Sequence, residues 1–506
     1  MKAEEARIDW FIFFGGCGVL LAAILPIVFM PEQSAEWVNR SFEWITQGFG
    51  IVYIFTAIFV TVFLLWIALG RYGSIVFGAS SRPEYGRFAW ASMLFCTGIG
   101  GSLIYWGGAE WVYYYVDPPF GIAARSDEAI YWAASYGLFH WGPVGWAIYC
   151  LPAVALGCSY HIEGSPSLRL SSACRKVLGK RTDRWGGRSI DLIFVVGLLG
   201  TAATGLGLGT SIVSSALSRL TGYGNGMGMQ LGIVVVATVL IALSVHQGLD
   251  RGIKRLSLVN AALALGFIGF IFVAGPTRFI LEMGVYSIGH VVEHFVPMLT
   301  WSDPLAKSQF IEKWTVFYWA WWLALGPFVG MFVCKISRGR TVREVIFGML
   351  GWGSLGCALF FIVLGNYTLF LELNGHFPFV EKVTQDGPSE AIVGAISLLP
   401  GGLFWLAYVA VVGLIFIATT YDSAAYTLSA GATRRLAEGE HPTRPHRVFW
   451  AFALGALPLT LLWLGGLRAL QTASVLASAP LLVVYGLLAV STIRMLREAQ
   501  KTRDPK

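Results

Sequence analysis

The chain has 506 residues, 56% of them hydrophobic and 13% charged, with a formal net charge of +7. A soluble domain carries roughly 25% charged residues, so this one is too poor in charge for a water-soluble enzyme, a disordered scaffold or a secreted disulfide framework. The composition points to a chain whose main solvent is lipid.

Apolar blocks of roughly 20 residues recur along the sequence, the length that crosses a bilayer as a helix. Twelve spans are expected, at about 10–30, 50–70, 88–115, 131–157, 190–217, 229–247, 256–275, 312–334, 343–366, 403–430, 446–466 and 470–493. The first is too long for the core of a cleaved signal peptide and no Ala-x-Ala-like site follows it, so it is read as a retained helix. With the N-terminal tail and every second loop assigned to the cytoplasm, that face collects 28 of the 36 Lys and Arg residues. Only Arg40, Arg125, Arg219, Arg278, Lys307, Lys313, Lys382 and Arg468 fall on the other face. This meets the positive-inside rule. Both termini are expected in the cytoplasm, and the basic balance reflects topology with no nucleic-acid partner.

The glycine run Cys96-Thr97-Gly98-Ile99-Gly100-Gly101-Ser102 lies in the middle of the third span. It either unwinds the helix and turns carbonyls toward a substrate or ion, or it packs helices closely through small residues. The fourth span carries His140-Trp141-Gly142-Pro143, then Trp146 and Tyr149; His140 is read as a structural histidine. Residues 277–300 are half apolar and suit an amphipathic helix on the outer membrane face. Within them His290-Val291-Val292-Glu293-His294 matches an H-x-x-E-H zinc pattern. It lacks an identifiable third ligand, so a membrane zinc peptidase is a distant alternative. The seven cysteines show no CxxC spacing, which suits neither a disulfide framework nor a zinc site.

In the eighth span Trp314, Tyr318, Trp321, Trp322 and Leu325 fall on one helical stripe, and Gly326-Pro327 is expected to break the helix beyond it. Aromatic stripes are ordinarily core or membrane-belt residues. Indoles deep in a span also suit a quaternary ammonium, which has no N–H to donate and must be held by ring faces. The tenth span places Thr419 and Thr420 beside Tyr421 and Asp422. Two hydroxyls and a carboxylate at membrane depth suit a small hard cation such as sodium; the alternative is threonines bonded back to their own helix.

The segments Lys313 to Trp322 (KWTVFYWAWW) and Ile336 to Gly348 (ISRGRTVREVIFG) closely resemble the signature of the betaine/choline/carnitine transporter family. Trp106-Gly107 with Glu110, Tyr113-Tyr114-Tyr115, Pro118-Pro119-Phe120-Gly121, Phe139 to Pro143 and Gly465-Gly466-Leu467 extend the likeness over about residues 10–495. The carnitine/γ-butyrobetaine branch looks nearest. The resemblance implies an all-α membrane protein of twelve helices with leucine-transporter-type inverted five-helix repeats. Two peripheral helices would fill 1–85, the first repeat 86–275, the surface helix 276–300, the second repeat 301–495 and a short cytoplasmic tail 496–506. A homotrimer in a bacterial inner membrane is implied with it.

By the same resemblance the substrate cage falls on Trp141, Trp146, Tyr149, Trp321 and Trp322, with Tyr113 as the tyrosine the carnitine branch adds. Leu325 stands where relatives carry a further aromatic ring. The sodium-independent exchangers place a Met and an Arg where this chain has Val329 and Asn260, neither of which can stand in for a cation. The hydroxyl pair of sodium-coupled members is kept as Thr419-Thr420, with Cys96, Ile99 and Phe416 as the implied carbonyl partners. The expectation is therefore a sodium-coupled importer of carnitine, γ-butyrobetaine or glycine betaine, without a cofactor, and sodium-independent exchange is the alternative.

Overall fold

In lipid every backbone N–H and C=O must be answered within the protein, which favours helices. The computed structural model describes residues 8–78, 82–100, 102–165, 167–247, 250–305, 308–434 and 441–503, and among these every regular element is helical. Lys2, Arg7, Gly101, Lys307 and Arg435 lie outside the described residues, as do the side chains of Arg251, Lys254, Arg255 and the Gly465-Gly466-Leu467 motif.

The principal helices are α1 (Trp10–Phe29), α2 (Pro31–Leu69), α3 (Arg87–Thr97), α4 (Ser102–Val116), α5 (Asp127–His140), α6 (Pro143–Gly157), α7 (Trp185–Thr221), α8 (Met227–Gln247), α9 (Asp250–Ala274) and α10 (Thr277–Glu293). After them come α11 (Val316–Ile336), α12 (Val342–Leu373), α13 (Gly402–Gly431) and α14 (Arg444–Arg503). Shorter helical turns connect them. Among the described residues, eight helical stretches are long and apolar enough to cross a membrane, and two bent pairs raise the number to ten. One pair is α3 and α4, which meet at 58° across the glycine run; the other is α9 and α10, which turn through 111° at Pro276.

Helix α14 has 60 residues and as a straight rod would reach about 90 Å. It doubles back instead. A methyl on Gly16 of α1 would sit 2.9 Å from Trp450 and 3.1 Å from Val195 of α7, and one on Gly197 would sit 3.0 Å from Leu481. Trp450 and Leu481 thus meet α7 at the same height. Both ends of α14 accordingly reach one face of the protein. Arg447 pairs with Asp422 at 3.3 Å, and Arg494 donates to the Lys176 carbonyl at 2.7 Å. The 163–176 loop joins these ends, since Arg169 donates to the Thr433 carbonyl beyond α13. In that loop Lys176 lies 2.8 Å from Glu163 and 2.5 Å from Glu498, and these hydrogen bonds hold its ammonium above the usual lysine range.

The chain interrupts α5–α6 where the sequence reads Trp141-Gly142-Pro143. Proline disfavours the helical region for the residue before it, and Gly142 takes an extended conformation, φ −90° and ψ −155°. Only glycine fits there, because a Cβ would lie 2.3 Å from the Leu138 carbonyl oxygen. By contrast the expected break at Gly326-Pro327 does not occur: α11 runs through it.

The reason lies in Tyr485. Pro327 cannot donate to Leu323, and Pro152, inside α6, cannot donate to Ile148. The buried Tyr485 hydroxyl reaches both orphaned carbonyls, each at 3.2 Å. A side chain from α14 therefore lets two proline-containing helices stay helical side by side. Their backbones nearly touch at Gly330, where a Cβ would lie 2.8 Å from the Ala153 nitrogen.

Two stability measurements follow from this packing. Tyr485→Phe strands both carbonyls and should cost about 1–3 kcal/mol, read as a lowered melting temperature of the detergent-purified protein. Gly330→Ala pushes α6 from α11 and should cost about 1–3 kcal/mol by overpacking, with a loss of monodisperse protein in size-exclusion chromatography. An unchanged melting temperature in either variant contradicts the corresponding contact.

Candidate functional site

Five of the sequence-predicted residues converge where α11 crosses the α5–α6 break. Trp321 and Trp322 are adjacent in sequence yet stack, with centroids 5.0 Å apart and planes 11° from parallel. Trp141, at the end of α5, stands across both, 4.8 Å and 77° from Trp322 and 5.8 Å and 85° from Trp321. Tyr149 of α6 adds a wall 5.3 Å and 78° from Trp322, and Trp146 stands edge-on to Tyr149 at 5.4 Å. All five are buried. Trp141 and Tyr149 meet the stacked pair edge to face, so aromatic surfaces of different orientation gather at one place, the kind of surface that binds a cation.

Each indole of the inner three is fixed by its N–H. The break at Gly142-Pro143 frees the His140 carbonyl, and Trp322 Nε1 donates to it at 2.9 Å. Trp321 Nε1 donates to the Thr201 carbonyl at 3.3 Å. Trp141 Nε1 donates to Glu110 Oε2 at 3.0 Å. Trp146 lies over two glycines: a Cβ on Gly353 would meet its ring at 2.3 Å and one on Gly98 at 3.2 Å. The glycine run thus serves close packing here as well as the bend between α3 and α4.

The other predicted residues stand apart from this cluster. Tyr113 pairs with Trp314 at 4.8 Å and with the Tyr105 hydroxyl at 3.3 Å. Leu325 lies one turn beyond Trp321 and Trp322 and is half-buried. Thr419 Oγ1 donates back to its own helix, at 2.9 Å to Ile415 and 3.2 Å to Phe416, while Thr420 is exposed. The Cys96 carbonyl accepts the Ile99 N–H at 3.1 Å. Among the described residues no hydrogen bond joins Cys96 or Ile99 to the threonines. Asn260 does reach α13: with its amide oriented by its partners, it donates to the Val412 carbonyl at 3.2 Å and accepts the Phe416 N–H at 3.1 Å. It thereby inserts a side chain into the rung just before Thr419. Val329 is buried in α11.

Two residues of weight were underrated by the sequence. Glu110 is fully buried and accepts from Tyr114 at 2.6 Å, Tyr318 at 2.5 Å and Trp141. A carboxylate at membrane depth, one turn beyond Trp106-Gly107, was the available signal. His140 has both ring nitrogens engaged, Nδ1 with the Tyr114 hydroxyl at 2.9 Å and Nε2 with Thr315 Oγ1 at 3.1 Å.

In the HVVEH segment, His290 packs on His294 at 4.4 Å and on Trp132 at 4.5 Å, and His294 Nδ1 lies 3.1 Å from the His290 carbonyl oxygen. Among the described residues no group of three His, Cys, Asp or Glu side chains is placed to hold a metal ion.

The betaine/carnitine/choline family transporter model matches residues 11–501. The chain is 33% identical to a carnitine transporter of Acinetobacter baumannii over 471 residues, covering 92% of this chain and 86% of the relative. It is 33% identical to a high-affinity choline transport protein of Escherichia coli over 479 residues, 94% of this chain and 70% of that one. A glycine betaine transporter of Bacillus subtilis is 31% identical over 507 residues, 98% of this chain and 97% of the relative. The chain belongs to the betaine/carnitine/choline transporter family, whose members are transporters and not enzymes.

Proposed function

We propose that the protein imports a trimethylammonium compound, with carnitine, γ-butyrobetaine and glycine betaine as the leading candidates, by sodium-coupled symport. The observation that carries the substrate class is the set of perpendicular rings at Trp141, Tyr149, Trp321 and Trp322. Each such face is worth about 0.5–2 kcal/mol to a desolvated cation that cannot donate a hydrogen bond. The relatives named for carnitine, choline and glycine betaine point the same way.

Support for sodium coupling comes from charge. Asn260 and Val329 are neutral where the exchangers hold a surrogate for a cation, and Thr419-Thr420 keeps the hydroxyl pair. Asn260 bonds to the Val412 and Phe416 peptide groups of α13, and Phe416 also bears the carbonyl expected to face the ion. Twelve spans in two inverted five-helix repeats, a homotrimer, cytoplasmic termini and a bacterial inner membrane complete the proposal. The α3–α4 bend at the glycine run is an interruption of the kind a midplane site uses, while α11 of the second repeat runs unbroken.

In proteoliposomes, uptake of labelled carnitine, γ-butyrobetaine, glycine betaine and choline should fall at least about tenfold when sodium is replaced by potassium. Undiminished counterflow without sodium assigns substrate exchange instead. Trp322→Leu should weaken the apparent affinity of correctly folded protein at least about tenfold, the sum of one lost face and its support to Trp141. Unchanged affinity, with only a lower yield, would make the tryptophan stripe a packing feature. Thr419→Ala should raise the sodium concentration needed for half-maximal uptake while leaving substrate binding at saturating sodium nearly unchanged.

A further inference from the structure

Glu110 carries a consequence that the cage alone does not. A buried carboxylate is costly unless it is hydrogen-bonded and its charge answered. Its two oxygens are satisfied by Tyr114, Tyr318 and Trp141, but all three donors are neutral. Among the described residues no lysine or arginine pairs with it, and the nearest basic group is His140, with Nδ1 3.9 Å from Oε1. That nitrogen is engaged by Tyr114, and Tyr136 closes the pocket behind at 5.2 Å from the imidazole.

Two of the donors are rings that face the cage. Trp141 contacts Trp321 and Trp322, and Tyr318 lies 5.7 Å from Trp322 and 5.9 Å from Trp141. Donors on both oxygens favour the ionised carboxylate against the cost of burial. An ionised acceptor draws the N–H or O–H proton toward itself and strengthens that hydrogen bond. The electron density so displaced enters the ring and makes its face more negative, and the face is what a cation meets. The carboxylate's own field acts in the same direction across a site of low dielectric.

We propose that Glu110 is a specificity-determining residue standing behind the cage. Through Trp141 and Tyr318 it biases the ring faces toward a cationic head and against a neutral group of the same shape. It acts through those two rings, as a positioning residue. The proposal rests on the reading of the cage as a quaternary-ammonium site, and the experiment separates the two.

Dissociation constants are measured by tryptophan fluorescence on the purified full chain, for glycine betaine, choline and γ-butyrobetaine. The tert-butyl isosteres 3,3-dimethylbutanoate and 3,3-dimethylbutan-1-ol serve as the uncharged-head probes for the first two. Melting temperatures report folding of each variant. Glu110→Gln should weaken the cationic probes about tenfold and the isosteres less than about twofold. Glu110→Asp, which keeps the charge, should lose less than Glu110→Gln. Equal losses for a cationic probe and its isostere overturn the proposal, as does Glu110→Asp binding no better than Glu110→Gln; where an isostere is too weak to titrate, the aspartate comparison decides. Failure of the wild type to bind any cationic probe overturns the substrate reading itself.

Discussion

An indole N–H at membrane depth is costly to leave unanswered, because bulk water is not on hand. Among the described residues the buried Trp106 and Trp319 carry that cost, whereas Trp141, Trp321 and Trp322 do not. In this molecule that constraint orients the cage. Trp141, Trp321 and Trp322 are each tied by the ring N–H to an acceptor on another helix: Glu110 of α4, Thr201 of α7 and His140 of α5. One acceptor has an identifiable origin: the His140 carbonyl is free because Gly142-Pro143 ends α5. The placing of Trp322 is thus a readout of backbone irregularity in a neighbouring helix.

The same demand explains where irregular backbone is tolerated. The bend between α3 and α4 lies against α12, where Cys357 Sγ donates to the Gly98 carbonyl at 3.3 Å. α12 itself contains π-turns at Met349–Gly353 and Phe361–Gly365. One ends on the glycine beneath Trp146, and the other brings Phe361 to 5.7 Å from Trp141. Such single π-turns gather at functional positions in helices, and here both touch the cage.

Much of the site was legible from residue type and spacing. A tryptophan stripe at helical period and a second group of aromatics around Gly142-Pro143 pointed to the two regions that meet, and the family resemblance picked the five rings out of them. Periodicity could not say which of two Gly-Pro-type interruptions would open. Gly142-Pro143 does and Gly326-Pro327 does not, because the partner that rescues α11 is Tyr485, more than 150 residues away. Nor could it weigh Glu110, whose importance lies in three donors drawn from three helices. Thr419 and Thr420 were legible as hydroxyls at membrane depth, whereas Cys96, Ile99 and Phe416 came from the resemblance; the Thr419 hydroxyl and the Cys96 carbonyl are committed locally. The reversal inside α14 was visible as two apolar blocks, although the helical hydrogen-bonding pattern itself runs on.

The Tyr485 hydroxyl has one proton and two acceptors at equal distance, Ile148 on α6 and Leu323 on α11. It cannot give a full hydrogen bond to both at once. At any instant one carbonyl holds the proton and the other does not, so two helices share a single bond. Each proline removes a backbone donor from its own helix, and one hydroxyl from a third helix stands in for both. The two prolines and the tyrosine therefore form one joint, in which the loss of the shared proton is felt by α6 and α11 together.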